Sequence, residues 1–271
     1  MSIQGREVEV DGLRFNVLVE GEGPDVLLVH GFPDSNSVWR NQIGPLVDAG
    51  YRVIAPDLRG FGETSAPKQT SAYAIDRFVD DLVGILDMLQ VEKVRLVGHD
   101  WGAAVGWQMC IQHPDRVDRY TALAVGHPSA YAHGGVVQKL KAYYILFFQV
   151  PGLSEKMVAA NDWWLWRQML RYDGEMPTWK RDLSRPGRLT AAIDIYRANL
   201  NLILPHDWPK ASVPVMGLWG EGDVALAERQ MVTSRSYVTG TWRYERVRGG
   251  THWLQLEQPE RVNELLLDFL A

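Results

Sequence analysis

The chain has a single cysteine and no long apolar run. Its 271 residues include only Cys110, which excludes an internal disulfide and, within the apolar pattern of a predicted helix, favours a buried structural thiol. The apolar run at 143–148 ends at Gln149, far short of the ~20 residues that cross a bilayer. The start, MSIQGREVEVDG, lacks the basic and then apolar order of a secretory signal. We therefore expect a cytoplasmic protein without a membrane partner.

Basic charge is also scarce. The chain has 28 Lys and Arg residues against 33 Asp and Glu, a net charge of −5, and shows no basic stripe that would attract nucleic acid. An apolar share of 46% and a charged share of 23% are typical of an ordinary globular protein and exclude a disordered or fibrous class. We expect a monomer or homodimer whose partner is a small molecule.

Strand and helix patterns alternate along the chain. REVEV and LRFNVLVE flank the turn Asp11-Gly12 and predict a hairpin. The apolar runs VLLVHG, KVRLVGHD and VPVMGLWG predict buried strands, and between the first two the spacing over 74–89 predicts an amphipathic helix. Such alternation indicates an α/β fold with a mostly parallel, doubly wound sheet.

The alternation pauses between Pro128 and Trp208. This stretch has helical spacing, no convincing strand, and 12 of the 28 aromatic residues. It predicts an inserted helical cap domain over 128–208, with a core domain formed by 1–127 and 209–271. The aromatic side chains either build the core of the cap or line an apolar pocket. The pocket candidates are Trp163, Trp164, Trp166, Met169 and Trp179.

Gly98-His99-Asp100-Trp101-Gly102 lies where a predicted strand meets a predicted helix. The pattern is typical of a nucleophile elbow, whose sharp turn needs small residues two positions either side of the nucleophile. Asp100 is therefore the predicted nucleophile, and the alternative is that it only caps the helix. A carboxylate attacks an sp³ carbon and leaves an ester that water must hydrolyse.

Hydrolysis of that ester needs a base, and His252 follows the last predicted strand. It is the histidine that completes the expected chain order of Asp, Asp and His. Asp223, just past the strand in LWGEGD, is predicted to orient His252, with Glu221 as the competing candidate.

The strand VLLVHG ends in His30-Gly31-Phe32-Pro33. The amides of Phe32 and Trp101 are predicted to form an oxyanion hole for the charge that develops during ester hydrolysis. The alternative is a simple strand-exit turn. Phe32 and Trp101 are also expected to contact the substrate.

The motifs HGFP (30–33), DLRGFG (57–62), GHDWG (98–102), GEGD (220–223) and GGTHW (249–253) together resemble the epoxide hydrolases of the α/β-hydrolase fold. The resemblance spans nearly the whole chain. It implies two cap tyrosines that hold the epoxide oxygen and donate a proton as the ring opens, and it requires no cofactor and no metal. Tyr144 in YYILFFQVPG and Tyr196 in IYRAN match the two tyrosine motifs. Tyr143 is a rival for the first role, and both Tyr143 and Trp179 are expected to bind substrate.

Three other functions compete with epoxide hydrolysis. A haloalkane dehalogenase resembles the chain in its Asp-Trp pair, because the Trp101 indole is able to donate to a halide. The side chain of Phe32, however, offers no second donor. A fluoroacetate dehalogenase has Arg after the nucleophile and a cap histidine where Tyr144 stands. A binding protein that has lost catalysis is expected to lack one of Asp100, Asp223 or His252, and none is missing. The predicted reaction is therefore attack of Asp100 on an epoxide and release of a vicinal diol by water.

Overall fold

The computed structural model describes residues 5–271, and within them eight strands form one sheet in the order β1-β2-β4-β3-β5-β6-β7-β8. β1, β2 and β4 pair antiparallel, whereas the remaining pairs among the described strands are parallel. This confirms the predicted mostly parallel α/β sheet. The strands are β1 (Gly5–Val10), β2 (Leu13–Glu20), β3 (Asp25–Val29), β4 (Arg52–Pro56), β5 (Val94–His99), β6 (Val117–Leu123), β7 (Val215–Gly220) and β8 (Trp242–Val247).

The predicted hairpin is confirmed. β1 and β2 are joined with Val10 opposite Leu13, so that only Asp11 and Gly12 form the turn. Both have positive φ, 50° and 73°, as a two-residue turn matched to the twist of the strands requires. The Asp-Gly pair tolerates that backbone, and it therefore fixes the register of the first two strands.

Helices connect the strands. They are α1 (Arg40–Asp48), α2 (Ile75–Met88), α3 (Trp101–Gln112), α4 (Pro128–Ala132), α5 (Gly135–Lys141), α6 (Tyr143–Phe148), α7 (Leu153–Leu170), α8 (Met176–Leu183), α9 (Arg188–Ala198), α10 (Glu228–Thr233), α11 (Leu254–Glu257) and α12 (Pro259–Leu270). The amphipathic spacing predicted for α2 is present: Ile75, Phe78, Val79, Leu82 and Leu86 are all buried. Cys110 in α3 is buried, as predicted, and burial raises the pKa of its thiol.

Between β6 and β7 the described chain contains α4 to α9 and no strand. The helices α6, α7 and α8 each pack against α9. α7 is interrupted by non-helical backbone at 160–163, where Asn161, Asp162 and Trp163 have positive φ. The division into a core domain of 1–127 and 209–271 and a cap domain of 128–208 stays a prediction. None of the helices described at 5–271 combines the length and apolar character needed to cross a membrane.

Four parallel strands, β3, β5, β7 and β8, point their carboxyl ends at one edge of the sheet. The loops after them carry Phe32, Asp100, Asp223 and His252, respectively. Helices from the 128–208 stretch cover this edge, because the ring of Phe32 packs against Phe148, Trp166 and Tyr196. Segments far apart in sequence thus meet in one enclosed space, as is typical of ligand sites in parallel sheets.

Candidate active site

The turn from β5 into α3 holds Asp100 in a strained backbone conformation, with φ 53° and ψ −121°. The chain passes so close to itself here that side chains do not fit on either side. A Cβ on Gly98 would lie 2.4 Å from the carbonyl oxygen of Gly102, and one on Gly102 would lie 2.1 Å from that of Val29. The two glycines therefore allow the sharp turn that presents Asp100 at the sheet edge.

The two oxygens of Asp100 have different neighbours. The amide of Phe32 donates a 2.8 Å hydrogen bond to Oδ1, whereas Oδ2 lies 3.4 Å from Nε2 of His252. Burial alone would raise the pKa of Asp100, but the hydrogen bond and positive charge of His252 hold it below its usual value. The backbone amide of Trp101 adds to this stabilisation. Asp100 is therefore ionised at neutral pH.

His252 lies between two carboxylates. Its Nδ1 is 2.9 Å from Oδ2 of Asp223, and the other oxygen of Asp223 accepts hydrogen bonds from the amides of Ala225 and Leu226. Burial would lower the pKa of His252, but Asp223 and Asp100 outweigh it and raise that pKa to about 10. In the resting protein the imidazole is thus protonated and paired on both sides.

The competing acid and the neighbouring histidines make other contacts. Glu221 is half exposed and pairs with Arg246 at 3.0 Å. His99 is fully buried and its Nε2 lies 2.8 Å from the carbonyl oxygen of His252, while burial and the charge of His252 lower its pKa to about 4. His30 accepts a hydrogen bond from the amide of Leu58. The two strand-end histidines therefore support loops around the site.

Two phenols lie above Asp100, that of Tyr196 buried and that of Tyr144 partly buried. The rings of Tyr144 and Tyr196 are 5.6 Å apart and nearly perpendicular, and Tyr196 packs edge-on against Trp101 and Phe32. Burial is the main cause that raises the pKa of both phenols well above their usual value. They therefore stay protonated and able to donate. The rival, Tyr143, is 59% exposed.

Two cavities lie above Asp100, here called the two arms of the site, and Asp100, Tyr144 and Tyr196 line both. The first arm has a volume of about 70 Å³ and an apolar lining that includes Trp101, Ala104 and Leu226. The second, of about 50 Å³, is lined by Phe32, Trp166, Met169 and His252, and also by Tyr143. The carboxylate and the phenols therefore lie where the two arms meet.

Trp179 lies apart from both arms. Its side chain is 1% exposed and its indole Nε1 donates a 2.8 Å hydrogen bond to Asp34. The other tryptophans of the pocket hypothesis also differ among themselves: Trp166 lines the second arm, Trp163 packs against Trp166, and Trp164 is 58% exposed. Helical spacing alone does not distinguish these environments.

Two residues near the site were not predicted from sequence. Tyr131 lines the first arm beside Tyr144, and burial raises its pKa. Asp34 is buried beneath α8, where desolvation raises its pKa to about 7 although two indoles donate hydrogen bonds to it. The signal for Asp34 was its position directly after the HGFP loop, but its partners are more than 140 positions away. Among residues 5–271, no cluster of three or more His, Cys, Asp or Glu side chains is arranged to hold a metal ion.

Comparison with known proteins decides the family. A family model for the alpha/beta hydrolase fold matches residues 24–259. The chain belongs to the α/β-hydrolase family. The AB hydrolase superfamily protein YfhM of Bacillus subtilis is 34% identical over 97% of this chain and 96% of its own length. Within the family, human epoxide hydrolase 4 is 32% identical over 97% of this chain and 77% of its own length.

Solved structures of α/β-hydrolases agree with this assignment. The crystal structure of epoxide hydrolase A from Mycobacterium thermoresistibile superimposes with a TM-score of 0.85, at 30% identity and with 98% of each chain covered. This α/β-hydrolase therefore groups with the epoxide hydrolases of the family, as its motifs predicted.

Proposed function

We propose that the protein hydrolyses epoxides to vicinal diols through a covalent ester on Asp100. The observation that carries the proposal is the arrangement around that side chain. One oxygen accepts a hydrogen bond from the amide of Phe32, the other faces His252, and the protonated phenols of Tyr144 and Tyr196 line the same space. A nucleophile, a base and an acid are thus within one enclosed site.

In the first half-reaction, Oδ2 of Asp100 attacks one carbon of the epoxide. The C–O bond of the ring breaks and an ester bond forms to the enzyme. The departing oxygen accumulates negative charge and takes a proton from Tyr144 or Tyr196. Because burial raises the pKa of both phenols, neither loses its proton before the ring opens.

Ester formation then changes His252. The ester carries no charge, so one of the two carboxylates that raise the pKa of His252 is removed. The pKa falls, and the proton that the imidazole releases restores the phenol. Neutral His252, oriented by Asp223, is then able to accept a proton from water. His252 therefore becomes a base only after the nucleophile has reacted.

In the second half-reaction, that water attacks Cγ of Asp100. Oδ1 becomes the oxyanion, and it already lies on the amide of Phe32 at 2.8 Å. The amide of Trp101, at the start of α3, also stabilises the Asp100 carboxylate. Collapse of the intermediate breaks the bond between Cγ and the ester oxygen, and the proton of the hydroxyl group that came from water passes to the departing oxygen. The products are the diol and the Asp100 carboxylate, with His252 again protonated. Removing one such donor typically slows acyl chemistry about 10²-fold or more.

Trapping of the ester tests the proposal. His252→Gln is mixed with a panel of epoxides and haloalkanes, and intact mass is recorded. We expect a mass increase equal to one epoxide, located on Asp100 by peptide mapping and absent from the double variant with Asp100→Asn. His133→Gln, which changes an exposed histidine, is the matched control and turns over without accumulation.

The panel also separates the alternatives. An adduct that forms only from haloalkanes would reassign the protein as a dehalogenase that uses the same nucleophile. The position next to the Trp101 indole is occupied by Tyr196, which favours the epoxide. If neither class of compound forms an adduct and the wild-type protein is inert, the proposed activity is wrong.

A further inference from the structure

A second buried carboxylate lies beside the reacting centre. Asp34 follows Pro33 directly, its side chain is 3% exposed, and the reaction proposed above does not use it. Its Oδ1 accepts a 2.8 Å hydrogen bond from Nε1 of Trp179, and its Oδ2 accepts one of 3.0 Å from Nε1 of Trp253. One carboxylate thus binds two indoles, each through its own oxygen.

The two indoles belong to different parts of the chain. Trp179 lies in α8, within the helical stretch that covers the sheet edge, and Trp253 directly follows His252 on the loop after β8. Asp34 itself lies on the loop that carries the Phe32 amide. The segments that supply the base, the oxyanion donor and the cover of the site therefore meet at one side chain.

Trp253 also fixes the surroundings of His252. The two rings pack edge-to-face with centroids 4.9 Å apart, and the opposite partner of Trp253, Tyr172, stacks at 4.9 Å and 17°. The indole is thus held at its N–H by Asp34 and across its face by Tyr172. A shift of Trp253 would remove a packing contact that holds the His252 ring in place.

We propose that Asp34 is a positioning residue that locks α8 and the His252 loop together over Asp100. The role rests on the proposed function, because it concerns the alignment of His252 for ester hydrolysis. An indole N–H only donates, so two indoles need a side chain with two accepting oxygens. Aspartate supplies both once it is ionised, at a pH above its pKa of about 7. Asparagine has the same shape but supplies one oxygen and an NH₂ group that would face the second indole N–H.

Rapid-quench kinetics with Asp34→Asn test the lock by measuring the two half-reactions separately. We expect ester formation within about 3-fold of wild type and ester hydrolysis slowed at least about 10-fold, because a small displacement of the base costs more in rate than in binding. Trp253→Phe, which removes the hydrogen bond to the His252 loop and keeps an aromatic ring beside His252, should reproduce the slow hydrolysis.

Trp179→Phe removes the hydrogen bond between Asp34 and α8 and keeps an aromatic ring at position 179. It should raise KM and speed amide hydrogen exchange in α8, while ester hydrolysis stays within about 3-fold of wild type. The matched control is Trp219→Phe, because the buried Trp219 indole has no hydrogen-bond partner among the described residues. Both half-reactions of the control should match those of the wild type.

Nuclear magnetic resonance of ¹⁵N-labelled indoles provides a readout that does not depend on turnover. The N–H signals of Trp179 and Trp253, assigned from the two Phe variants, should be protected from solvent exchange in the wild type. In Asp34→Asn at least one of them should shift and exchange at least about 10-fold faster, because one hydrogen bond is lost. The signals of the other tryptophans should stay in place.

The outcomes are distinct. Equal slowing of both half-reactions in Asp34→Asn, or no slowing in either Asp34→Asn or Trp253→Phe, overturns the positioning role. If Asp34→Asn does not fold, Trp253→Phe decides by the same criterion. If the wild-type protein forms no ester with any epoxide, the proposed function fails, and the indole signals alone then decide whether Asp34 joins the two segments.

Discussion

At the scale of single residues, the charge of His252 depends on the state of its neighbours. Its imidazole lies 2.9 Å from Asp223 and 3.4 Å from Asp100, and these carboxylates outweigh burial to raise its pKa to about 10. An unfolded chain would release the same proton near pH 6.5. The folded state therefore binds this proton more tightly than the unfolded state does.

The difference predicts how stability depends on pH. Because the folded pKa of His252 is raised, its contribution is fully present below about pH 6.5 and is lost as pH rises through about 10. The free energy of unfolding of wild type minus that of His252→Gln should fall by more than about 1 kcal/mol between pH 7 and pH 10. Urea unfolding of both proteins at each pH measures this difference in unfolding free energy. A difference that stays constant over that range would contradict the raised pKa, and His133→Gln should show no such trend.

Removal of either phenol hydroxyl group should slow ester formation. Tyr144→Phe and Tyr196→Phe should each slow ester formation about 10- to 100-fold, and the double variant should slow it further, because the opening ring loses its proton donors. Single-turnover mass spectrometry measures the rate. Tyr143→Phe tests the rival and should have little effect, since that ring is 59% exposed. Tyr244→Phe, whose hydroxyl bonds Glu228, is the remote control.

Sequence predicts catalytic candidates when each lies at the end of a recognisable strand. Asp100, Asp223 and His252 follow β5, β7 and β8, and the edge of a parallel sheet brings such positions together. Asp34 and Trp179 could not be paired in this way. Their contact depends on how α8 packs over the loop after β3, and no local pattern encodes a contact across 145 positions.

At the scale of elements, the turn between β5 and α3 depends on the absence of side chains. Gly102→Ala would place a Cβ 2.1 Å from the carbonyl oxygen of Val29. The clash is relieved only by a shift of backbone, because the oxygen belongs to the backbone and the Cβ is attached directly to it. We expect a loss of about 3 kcal/mol in unfolding free energy, with ester formation nearly abolished. Gly44→Ala is the matched control: Gly44 is exposed in α1, and apart from its chain neighbours no atom lies within 4 Å of the added Cβ, so this change should affect the unfolding free energy far less than Gly102→Ala.

The helices above the site are joined by one buried arginine. Arg197 in α9 pairs with Glu155 of α7 at 2.8 Å and with Asp194 at 2.9 Å, and it donates to the carbonyl oxygen of Phe148 at the end of α6. The helices α6 and α9, which carry the two tyrosines, are thus connected to each other and to α7 through one guanidinium group.

Loss of that group should loosen the cover of the site. Arg197→Met leaves the buried Asp194 and the partly buried Glu155 without their arginine, and we expect the unfolding free energy to fall by about 3 kcal/mol and KM to rise. Denaturant unfolding and steady-state kinetics measure the two effects. Arg181→Met removes an arginine whose side chain is 69% exposed and should change neither by much. If the two variants behave alike, the arginine does not hold the helices.

Element types were predictable from sequence more readily than breaks within elements. The apolar spacing of α2 is regular, and its buried face follows from that spacing. α7 instead contains three consecutive residues with positive φ, Asn161–Trp163. Lys180 and Arg167 both pair with Asp162 inside this break. The break therefore involves contacts with α8 that hydropathy does not encode.

At the scale of the whole molecule, the site is a space between two layers that fold from separate parts of the chain. The sheet edge supplies Asp100, His252 and the amide of Phe32, and the helices at 128–208 supply the phenols. Sequence predicted an apolar pocket but not its division into two arms. That division arises because Asp100, Tyr144 and Tyr196 occupy the middle of the space, a property of the assembled layers alone.

The two arms predict separable control of substrate choice. Ala104→Leu narrows the first arm, and Met169→Trp narrows the second. For an epoxide with a bulky substituent on one carbon only, the substitution in the arm that accepts the substituent should lower kcat/KM about 10- to 100-fold. The other substitution should change it less than about 3-fold. A small epoxide such as propylene oxide serves as the control and should remain a substrate of both variants.

For a substrate with bulky groups on both carbons, both substitutions should be costly, because each carbon then needs its own arm. The attacked carbon should also shift when one arm is closed, since the substituent must turn into the other arm before Asp100 reaches the ring. Repeated turnover in ¹⁸O-labelled water locates this step, because the label passes through the Asp100 carboxylate to the hydroxyl group on the attacked carbon. The enantiomeric composition of the diol from each pure epoxide enantiomer reports the attacked carbon independently. If neither rate nor diol composition changes in either variant, the two arms do not both receive substrate.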